Sequence, residues 1–147
     1  MASSKKTTYV NMAEFMDLAI RFETESAEFY ASMGETSTDM SVQELLGTLA
    51  AEENDHARVL KEYEAPKDSN IILQFTPALS LSMPMPGEDP DFGEMLGVAI
   101  ERERASADMY RRASQRTVGS FKELLEGLTT FEEEHERKLK GLQRSRT

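Results

Sequence analysis

The chain has 147 residues, enough for one domain with a single hydrophobic core. Charged residues make up 30% of it and the formal net charge is −10, which argues against nucleic acid or anionic lipid as partners, since both demand clustered cations. It has no cysteine, so disulfides, iron–sulfur clusters and cysteine-ligated zinc are excluded.

Four segments carry helical periodicity. The first runs from Asn11, a candidate N-cap, to about Gly34, with an apolar stripe of Phe15, Ala19, Ile20, Ala27 and Tyr30. The second starts near Ser41, where "SVQE" has the form of a capping box, and continues to about Tyr63 before Pro66. A stretch from about 66 to 90 holds all five prolines of the chain and is too proline-rich for helix. It reads as a crossover along the length of a bundle, with Ile71, Ile72, Leu73 and Phe75 covering its surface. The third helix follows Pro90, with Asp91 and Glu94 as another box, and fades near Thr117; the fourth opens at "SFKE" from Ser120 and reaches about Leu142. No apolar run is long enough to span a membrane. The start "MASSKKTTYV" lacks the apolar stretch of a secretory signal, so a cytoplasmic location is expected.

The expected architecture is all-α: an antiparallel four-helix bundle made of two helical hairpins, filling residues 1–147 as one domain. Hairpin 1 covers about 11–65, the crossover about 66–90 and hairpin 2 about 91–143.

The two hairpins repeat each other. At an offset of 79, "SVQELLGTLAAEENDHARVLK" lies over "SFKELLEGLTTFEEEHERKLK", matching ten of twenty-one positions, including Glu53 with Glu132 and His56 with His135. At an offset of 80, "AIRFETESAEFY" covers "AIERERASADMY" and matches Glu23 with Glu103 and Tyr30 with Tyr110. The only two histidines of the chain are thus equivalent, each three residues after a matched glutamate.

Residues three apart on a helix share a face. Glu53 and His56 extend the stripe of Leu45, Leu46 and Leu49, and Glu132 and His135 extend that of Leu124, Leu125 and Leu128. Glu23 lies in line with Ala19, Ala27 and Tyr30, and Glu103 with Ala99, Ala107 and Tyr110. Two residues of shift turn a side chain ~200° around the axis, so only one of Glu101 and Glu103 can face inward; the repeat favours Glu103, with Glu101 as the alternative. Glu52, Glu133, Glu134 and Glu136 read as solvated. Four inward carboxylates repel one another and are costly to bury, and Arg21 and Arg102 fall off the inward stripes, so no buried cation is expected to balance them. Two divalent metal ions would. Oxygen-rich ligands with imidazole suit iron or manganese, although another divalent metal fits the same donors.

One glutamate from each of two helices plus Glu-x-x-His from each of two others is the di-metal carboxylate arrangement of ferritin-like bundles. On these paired motifs the sequence resembles the rubrerythrin-type, ferritin-like di-iron proteins, in their short form without a rubredoxin tail, over residues 11 to 143. The resemblance implies two iron ions per chain, with Glu53 and Glu132 bridging them, Glu23 and Glu103 as terminal ligands, and His56 and His135 completing the two coordination spheres. Tyr30 and Tyr110 match aromatic positions that neighbour such sites; they read equally as core aromatics or as hydroxyl donors to a ligand carboxylate. The chain departs from full rubrerythrins in lacking a cysteine-ligated iron, and in having Ala99 and Ile100 where those proteins carry a further carboxylate.

The resemblance implies reduction of hydrogen peroxide or O2, or oxidation of Fe(II), with electrons from an external donor protein or from Fe(II) itself. Two other readings fit the residues: an iron-handling protein with little turnover, and a structural helical module with a vestigial site. A homodimer is allowed, since bundle faces outside the site can pair.

Overall fold

Asn11 starts the first helix. Its side chain accepts the Glu14 N–H at 2.9 Å while the Glu14 carboxylate takes the Asn11 N–H at 3.0 Å, so two amides that the helix cannot satisfy are paired reciprocally. From there α1 runs over Met12–Thr36. The structure, a computed structural model, describes residues 8–63, 72–75 and 91–146. It contains three further helices: α2 (Met40–Glu62), α3 (Phe92–Ser114) and α4 (Gly119–Ser145).

Two caps differ from the sequence expectation. At α2 the cap is Asp39, not Ser41: its carboxylate accepts from the Ser41 N–H at 2.9 Å and from the Ser41 hydroxyl at 2.7 Å. An aspartate two residues upstream takes the role because its charge faces the amide end of the helix dipole. At α4 the helix begins at Gly119 after Val118, with no side-chain cap. Gly119 has φ +72°, a left-handed conformation that glycine tolerates without strain. The Ser120 hydroxyl lies 2.8 Å from the Tyr63 hydroxyl, so it ties α4 to the end of α2 instead of capping its own helix. At α3 the Asp91 carboxylate accepts the Glu94 N–H at 2.8 Å, as the sequence suggested.

Three residues separate α1 from α2 and four separate α3 from α4, so each pair is an antiparallel hairpin. Cross-hairpin contacts set the remaining directions. Tyr30 meets Glu103 while Tyr110 meets Glu23, so α1 and α3 run in opposite directions. His56 lies by Glu132 and His135 by Glu53, so α2 and α4 also oppose. Consequently α2 and α3 run the same way, and the chain from Tyr63 to Asp91 joins opposite ends of the bundle. Most of that expected crossover lies outside the described residues, as does Ile71. Within it, Ile72–Phe75 is a short strand, β2, where the sequence reading placed no regular element; it pairs antiparallel with Thr8–Asn11, β1, in the register Thr8–Phe75 to Asn11–Ile72. This two-stranded ribbon sits at the start of α1. Among the described residues the fold is otherwise all-α, and no helix there is long and apolar enough to cross a membrane.

The apolar core falls into two clusters. One joins Phe15, Phe22, Leu60, Met109, Phe121 and Leu125; the other joins Met33, Leu46, Leu49, Leu96, Ile100 and Leu139. Each draws on all four helices, and the first gathers the N-terminal half of α1 and the C-terminal part of α2. Between the two lies a polar layer. Leu46→Ala and Leu125→Ala, one in each cluster and both fully buried, should each cost ~2–5 kcal/mol in urea unfolding. Because the layer separates the clusters, the two losses should add to within about 0.5 kcal/mol in the double variant.

Candidate metal centre

The layer contains Glu23 from α1, Glu53 and His56 from α2, Glu103 from α3, and Glu132 and His135 from α4. All six are at most 6% exposed. Glu101 is exposed, so the register that buries Glu103 turns its neighbour to solvent. Helical spacing accounts for the convergence: the stripes that bury leucines and alanines above and below carry these side chains to the same depth.

Distances across the layer are short. His56 Nδ1 lies 3.3 Å from Glu132 Oε1 and 3.5 Å from Glu23 Oε2. His135 Nδ1 lies 2.8 Å from Glu53 Oε1 and 3.5 Å from Glu103 Oε2. The imidazole rings face each other nearly parallel, 15° apart with centroids at 6.0 Å. Although close, these atoms are not aligned as hydrogen bonds. Glu23 Oε2, Glu53 Oε1, His56 Nδ1, Glu103 Oε2, Glu132 Oε1 and His135 Nδ1 are all buried without a hydrogen-bond partner, one atom from each of the six residues. Buried polar atoms are rarely left so.

The six fall into two overlapping sets of donors. Glu23, Glu53, His56 and Glu132 form one, and Glu53, Glu103, Glu132 and His135 form the other. Within each set the four donor atoms lie within 4.8 Å of one another, close enough to hold a metal ion, and Glu53 and Glu132 belong to both. Hard carboxylate oxygens with one neutral imidazole per position suit a divalent first-row metal.

Both tyrosines reach into the layer. The Tyr110 hydroxyl donates to Glu23 Oε1 at 2.5 Å, and the Tyr30 hydroxyl donates to Glu103 Oε1. Each therefore holds one oxygen of a glutamate and leaves the other facing the cluster. Burial, followed by the carboxylates beside them, pushes both phenols well above their ordinary range, which keeps them protonated as donors.

Several side chains differ from the sequence reading. Arg102, expected off the inward stripes, is buried: it donates to the Ser26 hydroxyl at 3.2 Å and lies over the Phe29 ring at 5.6 Å. A long side chain rooted beside the stripe can bend inward along an aromatic face. Its single charge favours ionisation of Glu53 but cannot balance four carboxylates. Glu52, expected in solvent, is half-buried, and its carboxylate lies 3.1 Å from His135 Nε2. Its position beside the matched Glu53 was visible in the sequence; its reach across to α4 was not. Glu133 stays exposed and pairs with Arg111 at 2.8 Å, whereas Glu134 and Glu136, also expected in solvent, are half-buried, Glu136 between Arg104 at 3.2 Å and Lys140 at 2.7 Å. Beside the layer, an open and largely apolar groove of about 600 Å³ runs between α2 and α4, bordered by His56, Glu52 and Phe131.

The charge state of the layer follows from its burial. Desolvation, then repulsion from Glu23 and Glu103, raises Glu53 well above the ordinary carboxylate value; desolvation and the other three glutamates do the same to Glu132. For Glu23, burial is outweighed by the close approach of Glu53 and His56 and by the hydrogen bond from Tyr110, which leaves it lowered. For His135, burial is outweighed by Glu103 and Glu52, so its value is raised.

Four helices carrying this carboxylate and histidine layer define a ferritin-like bundle. A family model described as rubrerythrin matches residues 14–143, and the chain belongs to that family. Among solved structures, a Thermotoga maritima protein described as a candidate ferritin-like diiron-carboxylate protein superposes with a TM-score of 0.80 at 24% identity, over 95% of this chain and 98% of that one. A hypothetical protein from Pyrococcus furiosus superposes with a TM-score of 0.68 at 22% identity, over 90% of this chain and 91% of the other. These two likenesses establish the fold. No curated protein matches the sequence.

Glu53 and Glu132 bind protons in the folded, metal-free protein at pH values where the unfolded chain does not, so their contribution falls as pH rises above the ordinary value of 4.5. The contribution of His135 is complete below 6.5 and is lost as pH climbs through its raised folded value. The chelator-treated protein should therefore melt at a lower temperature at about pH 8 than at about pH 6. Scanning calorimetry with the chelator present checks this, and a flat or rising profile would contradict the charge assignment.

Proposed function

We infer that the layer is a di-iron centre and that the protein is an oxidoreductase of rubrerythrin type, working as one ferritin-like unit in the cytoplasm. The observation that carries this is the set of six buried, unpartnered donor atoms, one from each residue, converging between two apolar clusters. Such a layer is unstable when fully ionised and is balanced by two divalent cations, with both imidazoles neutral.

In this reading Glu53 and Glu132, which belong to both donor sets, would be shared by the two metal positions. Glu23 and His56 complete one, and Glu103 and His135 the other. Bound iron would supply the redox chemistry, passing electrons to peroxide or O2 or taking them from Fe(II). The chain's own groups do the rest. Tyr110 and Tyr30 fix the orientation of Glu23 and Glu103 by holding one oxygen of each. The leucine, methionine and phenylalanine clusters above and below exclude bulk water and hold the donors on rigid helices. With no cysteine in these 147 residues to hold a cysteine-ligated iron, the reducing equivalents in this reading come from an external donor or from Fe(II). Manganese suits the same donors.

Anaerobic loading with Fe(II) followed by metal analysis tests the assignment. About two irons per chain are expected, with rapid oxidation on adding hydrogen peroxide or O2. Glu53→Ala and His135→Ala should each lower the iron content, and loading should raise the melting temperature because the site exists only in the folded state. Two irons with sluggish oxidation would favour an iron-handling role. No stoichiometric metal, or unchanged content in both variants, would leave a structural helical module.

A further inference from the structure

The two halves of the repeat are not equivalent where their histidines are held. At the offset that superimposes His56 on His135, Glu52 falls on Phe131. Each of these two residues reaches across from its own helix to the histidine of the other. Glu52 on α2 places a carboxylate oxygen 3.1 Å from His135 Nε2. Phe131 on α4 sets its ring against His56, with centroids 5.0 Å apart and planes at 61°. Among the described residues, the carboxylates within 4 Å of the His56 ring nitrogens are Glu23 and Glu132, and both approach Nδ1.

We propose that Glu52 is a positioning residue that makes the two metal positions unequal, so that the position completed by Glu103 and His135 binds its ion more tightly and fills first. This rests on the di-metal reading above. A carboxylate on Nε2 fixes the tautomer with its proton there, leaves the Nδ1 lone pair for the ion, and makes that nitrogen a better donor. His56 instead has a phenylalanine ring packed against it. Phe131 restrains the ring by packing but accepts no proton, so neither the tautomer nor the basicity of His56 is set in the same way. The groove between α2 and α4 borders both His56 and the Glu52 side chain, and His56 itself is 6% exposed. His135, by contrast, is only 1% exposed. The bridging glutamates are common to both positions, so the difference comes from what holds each imidazole.

Calorimetric titration of the metal-free protein with Fe(II) under anaerobic conditions tests this. The wild type should bind in two steps, the first tighter by roughly 10-fold or more. Glu52→Ala should weaken the first step by about that factor and leave the second in place, and Glu52→Gln, whose amide oxygen still accepts from Nε2–H, should fall between. Phe131→Glu, at an exposed position, should tighten the second step and narrow the gap. With one equivalent of ⁵⁷Fe(II), the Mössbauer spectrum of the wild type should show one dominant ferrous environment, and that of Glu52→Ala a mixture of two. Equal affinities in the wild type, or a parallel weakening of both steps in Glu52→Ala, would overturn the inference while leaving the di-metal centre standing. Failure of the wild type to bind iron would overturn the di-metal reading and this inference with it.

Discussion

Burying four carboxylates at the middle of an apolar bundle is the constraint on which the rest of this molecule depends. Each ionised group loses its hydration, and each repels three others at short range. Without metal, the layer relieves the conflict with protons: Glu53 and Glu132 are driven towards the neutral acid, while His135 is drawn towards its cation. Neither response satisfies the six donor atoms that face one another. A site built to hold cations would have this character, because the groups that are costly to bury together are those that would coordinate the ions.

The surrounding structure keeps those donors in place. Two apolar clusters grip all four helices on either side of the layer, so a side chain in it moves only if a helix does. The tyrosines cross between α1 and α3 in reciprocal fashion, each restraining the glutamate of the other helix. Arg102 adds a buried positive charge on one side only, since its counterpart in the first half of the repeat is Phe22. Together with the Glu52 and Phe131 exchange, this shows how a duplicated frame acquires two dissimilar halves without changing the six residues of the layer.

Much of this was legible from spacing. Three-residue and seven-residue intervals place Glu53 with His56 on the leucine stripe, and the internal repeat favours Glu103 over Glu101, which the structure buries and exposes respectively. The elements were less legible at their ends. Asp39 outcompeted Ser41 as a cap, Ser120 turned to Tyr63, and Ile72–Phe75 paired with Thr8–Asn11 as a ribbon. Each of these depends on a partner whose proximity is set by the folded chain, and periodicity carries no information about it.

The sequence by itself determined the helices, their inward faces and the excess of negative charge on those faces, because all three are local consequences of helical geometry. Only the tertiary structure decided that Arg102 bends inward, that Glu52 reaches His135 and that Phe131 covers His56. Those contacts join side chains on different helices, and the rotation and depth of one helix against another are fixed by packing, not by the order of residues within either.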